Sequence, residues 1–134
     1  MAAGYSANPL FKKLGMKEGF LVKLINPPAN YNQLIGSFIK EVIVTEAKKD
    51  LDLIHFFVNK TKDLEKHLPV LMKQIKKNGM IWISWYKASA KKPTEINEHI
   101  VRGTALSLGL VDIKVCAVDE DWSGLKLVYR LKDR

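Results

Sequence analysis

A single cysteine, Cys116, is all that this chain of 134 residues contains, which excludes an internal disulfide and a thiolate zinc cluster. It lies in the alternating apolar segment Val111 to Val118 and reads as a core thiol. Histidines are equally sparse and scattered. His55 falls mid-strand, His67 and His99 fall on separate helices, and no His-x-x-x-His pair is present to hold a metal, so no metal site is assigned. Because His55 alternates with Leu51, Leu53 and Phe57, it reads as a buried imidazole with its hydrogen bonds satisfied. Long hydrophobic runs are missing too. Leu51 to Val58 is interrupted by Asp52 and His55 and falls far short of the roughly 20 apolar residues that span a bilayer. Met1 to Ser6 shows no basic region followed by an apolar core, so no signal peptide is visible, and a soluble cytoplasmic protein is the expectation.

What is present is an alternating chain with 47% apolar residues, enough for one core and one domain over residues 1–134, with 1–19 as an N-terminal segment. Pro9 to Leu14 predicts a short helix capped by Asn8 and stopped by Gly15. Strands are expected at Phe20 to Ile25, Glu41 to Glu46, Asp52 to Val58, Met80 to Trp85, Val111 to Val118 and Leu125 to Leu131, with a short helix around Tyr31 to Ile35. The third is apolar on both faces, as in a sheet covered on both sides. Leu64, Leu68, Leu71 and Ile75 predict an amphipathic helix over Thr61 to Lys77, kinked or divided by Pro69 and ended by Asn78-Gly79. Thr94 can cap a further helix running to Leu108. The turn from Asp119 to Gly124 is too short for a helical crossover, so the last two strands should be antiparallel. The fold class is therefore α/β: a three-layer sandwich around a mostly parallel six-stranded sheet with an antiparallel C-terminal hairpin.

In open parallel sheets ligands bind beyond the carboxyl ends of the strands. Those ends carry Asn26, Glu46, Asn59, Trp85 with Tyr86 and Lys87, and the turn that begins at Asp119. The turn after the first strand is Asn26-Pro27-Pro28-Ala29-Asn30, with no glycine; its prolines remove two amide donors from the place where a phosphate cradle would stand. The segment Asp119 to Lys126 gathers three acids, Trp122, Ser123, Gly124 and Lys126. As a site, Trp122 would stack, Asp119 would accept hydrogen bonds and Lys126 would meet an anion. As structure alone, Asp119 would cap turn amides and Trp122 would pack over the sheet end. There is no Gly-x-Ser-x-Gly elbow or Walker A motif, and Ala90 stands where a short-chain dehydrogenase would need lysine after Tyr86.

The formal charge of +8 is concentrated. Between Lys60 and Lys92 nine lysines face only Asp63 and Glu65, with Lys73, Lys76, Lys77, Lys91 and Lys92 as candidate anion contacts. Little arginine and no aromatic interleaving in the lysine-rich helix leave a solvated face as the alternative.

The order of elements resembles the S-adenosylmethionine-dependent methyltransferases with a Rossmann-like sheet. Leu14-Gly15-Met16-Lys17-Glu18-Gly19 resembles the approach to their first motif and Leu51-Asp52-Leu53-Ile54 their central strand. The resemblance implies strand order 2-1-3-4-6-5 and puts Glu46 where those proteins hold ribose hydroxyls, but their glycine motif is missing. A closer resemblance is to a small bacterial domain-of-unknown-function family, number three thousand and fifty-two. It is carried by Tyr5-Ser6, Pro9-Leu10, Lys13-Leu14-Gly15 and above all the run Gly109 to Lys126. It implies the fold and no activity, and no cofactor is assigned. The resulting expectation is a non-catalytic Rossmann-like binding or regulatory domain. Alternatives are an enzyme holding a nucleotide-like cofactor at the carboxyl edge, or a nucleic-acid or polyanion module. A protein partner or small anionic ligand fits any of these, and an exposed second-strand edge could support a homodimer.

Overall fold

A computed structural model describes residues 8–134. Tyr5 and Ser6, and the expectation of no signal peptide from Met1 to Ser6, lie outside the described residues. The strands are β1 (Leu21–Ile25), β2 (Ile43–Val44), β3 (Leu51–Phe57), β4 (Ile75–Tyr86), β5 (Leu110–Ala117) and β6 (Trp122–Tyr129). The α-helices are α1 (Leu10–Leu14), α2 (Tyr31–Ile35), α3 (Thr61–Leu71) and α4 (Glu98–Ser107). The sheet order is β2-β1-β3-β4-β6-β5, as expected. The four strands from β2 to β4 run parallel, whereas β6 is antiparallel to both β4 and β5.

Strand β3 sends residues into both cores. Ile54 and Phe56 join Leu64, Leu68, Val101 and Ala105 beneath α3 and α4, while Leu53 and Phe57 join Leu10, Leu14, Tyr31 and Ile35 beneath α1 and α2. Asp52, at the start of the strand, accepts the Leu21 amide at 2.8 Å and pairs with Lys76 at 3.0 Å, so one carboxylate aligns the amino ends of three strands.

Several boundaries differ from expectation. Helix α3 ends at Leu71, and the periodicity that reached Ile75 crosses into a strand, because a buried strand position also demands an apolar residue. Lys76, Lys77, Asn78 and Gly79 consequently belong to β4. Pro69 sits in the last turn of α3. The cap of α4 is Asn97, whose side chain accepts the Ile100 amide at 2.9 Å; Thr94 instead accepts the Ile96 amide. Pro9, not Asn8, is the residue before α1, and Gly15 ends that helix at φ 80° as expected. Strand β2 is only two residues long, an edge on which Ile43 and Val44 are exposed. Strand β6 begins at Trp122, earlier than Leu125, since the hairpin turn uses fewer residues.

Gly79 has a packing reason instead of a capping one. A Cβ there would lie 3.0 Å from the Leu51 carbonyl oxygen and 3.1 Å from the Lys76 carbonyl oxygen, both backbone atoms, next to the register shift between β3 and β4. Gly79→Ala should therefore cost about 1–3 kcal/mol, read as a lower urea midpoint with unchanged slope. An unchanged midpoint would show that this junction is loosely packed.

Candidate functional site at the carboxyl edge

The loop after β1, the ends of β3 and β4 and the β5–β6 turn surround a cleft of about 490 Å³. Asn26, Pro27, Pro28 and Asn30 form one wall, Phe57, Val58 and Asn59 the floor, and Tyr86, Lys92, Asp119, Asp121 and Trp122 the other wall. Asn26 holds φ at 55°, a left-handed conformation that glycine most readily adopts, and its side-chain Nδ2 donates to the Phe57 carbonyl at 3.5 Å. The chain thus makes the sharp exit from β1 without glycine. Pro27 and Pro28, which have no N–H, follow directly.

The opposite wall is aromatic and tied down. Trp122 packs edge-on to Phe57 at 4.9 Å and lies 4.3 Å from the Tyr86 ring, while the Lys92 ammonium sits 5.3 Å above Tyr86. Asp119 accepts the Asp121 and Trp122 amides at 2.8 and 2.9 Å, fixing the turn. Asn59 accepts the Tyr86 amide at 2.9 Å and joins the exits of β3 and β4. Lys92 pairs with Asp121 at 3.0 Å, and that contact raises its pKa.

Of the candidate residues named from sequence, Asn26, Asn59, Asp119, Trp122 and Lys92 come together around this cleft. The rest lie elsewhere. Trp85 is buried in the core beneath α3 and α4, and Ser123 pairs with it across the β4–β6 ladder; the neighbouring Tyr86 is the residue that reaches the cleft. Lys87 uses its backbone N–H to hold the Asp121 carbonyl at 2.8 Å. Glu46 is exposed two residues beyond β2, and Lys91 is exposed at φ 56°. Lys126 faces the middle of the sheet opposite Trp82.

The lysine group does not form one patch. Lys73, Lys76 and Lys77 sit at the amino edge and Lys87, Lys91 and Lys92 at the carboxyl edge, separated by roughly 30 Å along β4. Lys76 is paired with Asp52, and Lys77 lies 4.3 Å over the Tyr129 ring. Cys116 is a buried free thiol whose pKa burial raises, against a downward pull from Lys13, Lys114 and Lys87.

Beneath the cleft runs a polar chain that the sequence did not reveal as a unit. Tyr31 Oη meets His55 Nδ1 at 2.8 Å, and His55 Nε2 meets Ser84 Oγ at 2.8 Å. All three residues are buried, and His55 stacks on Phe57, which forms part of the cleft floor. The imidazole reads as expected, buried with both nitrogens engaged; what was missing was its partners, which come from α2 and β4. Burial lowers the pKa of His55 to about 3 and raises that of Tyr31.

Comparison with solved structures finds the same fold in methyltransferases. A Sulfolobus solfataricus protein assigned to the type 11 methyltransferases is 16% identical, with 90% of this chain and 89% of that one aligned and a TM-score of 0.64. An S-adenosylmethionine-dependent methyltransferase of Clostridium acetobutylicum is 6% identical, with 89% and 87% aligned at 0.61. Magnesium protoporphyrin IX methyltransferase of Synechocystis, solved with bound SAH, is 6% identical, with 90% and 78% aligned at 0.59. At these identities the likeness is one of fold. A sequence comparison with curated proteins found no match. Residues 12–131 match the family described as protein of unknown function (DUF3052), and the chain belongs to that family.

Proposed function

We propose that this protein is a non-catalytic binding or regulatory domain on a methyltransferase-like sheet, with its ligand in the carboxyl-edge cleft. The observation that carries this reading is that the cleft's ionisable groups already have structural work. Asp119 holds two turn amides, and Lys92 and Asp121 hold each other. The Ser84–His55 contact, the pairing that nucleophilic catalysis would use, lies fully buried beneath the floor. A volume of about 490 Å³ suits a small organic molecule. Two carboxylates and a proline-bearing wall disfavour a phosphate there, whereas Tyr86 offers a ring face and Asn59, Asp119 and Asp121 offer partners for hydroxyl groups. The class that fits is a planar-ringed, hydroxyl-bearing molecule, such as a nucleoside.

The second reading, an enzyme using a nucleotide-like cofactor, is favoured by the cleft's position at the carboxyl edge of this fold. A thermal-shift screen of nucleosides, nucleotides, S-adenosylmethionine and S-adenosylhomocysteine, followed by a methyl-transfer assay with any binder, separates the two. The first reading expects stabilisation by a nucleoside-type compound, lost in Tyr86→Ala, and no transfer. Methyl transfer would establish the second reading, and no stabilisation by any compound would contradict both.

A further inference from the structure

A second recess, on the α1 face of β4, β5 and β6, has a different chemistry. About 190 Å³ in volume, it is lined by Asn78, Gly79, Met80, Ile113, Lys126, Val128 and Arg134. Two of these side chains are cations, and no carboxylate side chain is among them. The end of α1 bounds it, since a Cβ on Gly15 would lie 3.6 Å from Met80 Sδ and 3.8 Å from Lys126 Nζ. Lys126 stands directly across the β5–β6 ladder from Lys114, and like charges in that relation repel. Partial burial pushes its pKa down, and the neighbouring Lys114 and Lys17 charges lower it further. Lys126 therefore brings a half-desolvated ammonium into a field of its own sign, with no ion pair to an acid among the described residues. Isolated charge is costly to hold in this way, and an anion in the recess would offset that cost.

We propose that this recess binds a phosphoryl group, carried by a phosphorylated small molecule or by a nucleic-acid backbone, with Lys126 and Arg134 as its contacts. Arg134 Nε donates to the Tyr129 carbonyl at 2.8 Å, which anchors the guanidinium and leaves its terminal nitrogens, with the Lys126 point charge, for phosphate oxygens; Lys114 and Lys17 supply the surrounding field. Ile113, Val128 and Met80 form an apolar floor for the carbon attached to the phosphate. No aromatic side chain lines the recess, so base stacking has no platform and recognition would be of phosphate alone. The proposal thus gives Lys126 an anion contact, as the sequence reading also did, but at a site away from the Asp119 turn.

The test uses glycerol 3-phosphate and a short DNA duplex as probes, each titrated at low salt into the full chain and into Lys126→Gln, Arg134→Gln and, as a control on the opposite face, Lys62→Gln. Without anion, K126Q should melt at or above the wild-type temperature, because it removes a repulsive charge. Glycerol 3-phosphate should stabilise the wild type and K62Q, with at least tenfold weaker binding to K126Q and R134Q. If a nucleic-acid backbone is the source, the duplex should bind more tightly than the monoester, with an affinity that falls steeply with salt and a slope reduced by about one in K126Q. A monoester that outcompetes the duplex identifies the small-molecule source. The proposal is overturned if neither probe binds the wild type, or if K126Q and R134Q bind both probes as tightly as it does. Because the carboxyl-edge cleft is untouched by these variants, either outcome leaves the reading of that cleft independent.

Discussion

Lowering the pH from 7 to 4 is expected to remove about 3 kcal/mol of stability through His55 alone. The folded protein holds this imidazole neutral, with a pKa of about 3, while the unfolded chain has the ordinary value of 6.5. Between those two values the unfolded state binds the extra proton. Stability is therefore fully present above about pH 6.5 and declines as the pH falls toward 3, by about 1.4 kcal/mol per pH unit. The cause is geometric. Protonation would place a charge between Tyr31 and Ser84, beside Phe57, where no carboxylate is hydrogen-bonded to the ring. Urea titrations across this range should show His55→Gln less stable than wild type at neutral pH but with a shallower acid decline, since one titrating group is gone. Equal slopes in the two proteins would show that His55 charges without cost and that the polar chain beneath the cleft is loosely held.

Trp82→Ala should cost about 3–5 kcal/mol, more than Gly79→Ala on the neighbouring stretch of the same strand. The indole is fully buried, and its Nε1 donates to the Leu14 carbonyl at 2.8 Å. That bond matters beyond its own energy because α1 is only five residues long, far too short to persist by itself. Buried Leu10 and Leu14 and this indole hold it on the sheet. Trp82→Phe, which keeps a large ring but deletes the donor, should cost less, about 1–3 kcal/mol. Amide exchange would distinguish a local from a global effect: α1 should lose protection in both variants, ahead of β3 and β4. Retention of α1 protection in W82A would show that the helix is held by something other than this contact.

The parts of the fold that were legible in the sequence are those set by long-range patterning. Alternating apolar segments placed all six strands and the short turn after Asp119 required an antiparallel last pair, whereas the strand order was implied only by the resemblance to the methyltransferases. Boundaries were legible only where one local rule acted alone, as at Gly15. Where two rules agreed on the residue type but not on the element, the reading failed. Ile75 satisfies both a helical stripe and a buried strand, and Asn78-Gly79 has the composition of a helix stop while serving a close backbone approach. The position of the candidate cleft was legible to the level of which strand ends line it. Which side chain faces the cleft was not, because a shift of one residue exchanges Trp85 for Tyr86. The partners of His55 come from elements distant in sequence, and no local signal announces them.

Ligand binding in the carboxyl-edge cleft is tested most directly by an NMR titration of isotopically labelled protein with adenosine, S-adenosylmethionine and S-adenosylhomocysteine. At least one of them should produce saturable shifts concentrated at the Asn26, Asn59 and Tyr86 amides and the Trp122 indole, and should remain chemically unchanged. No saturable shift with any of the three, or shifts clustered away from these residues, would contradict a binding role for the cleft.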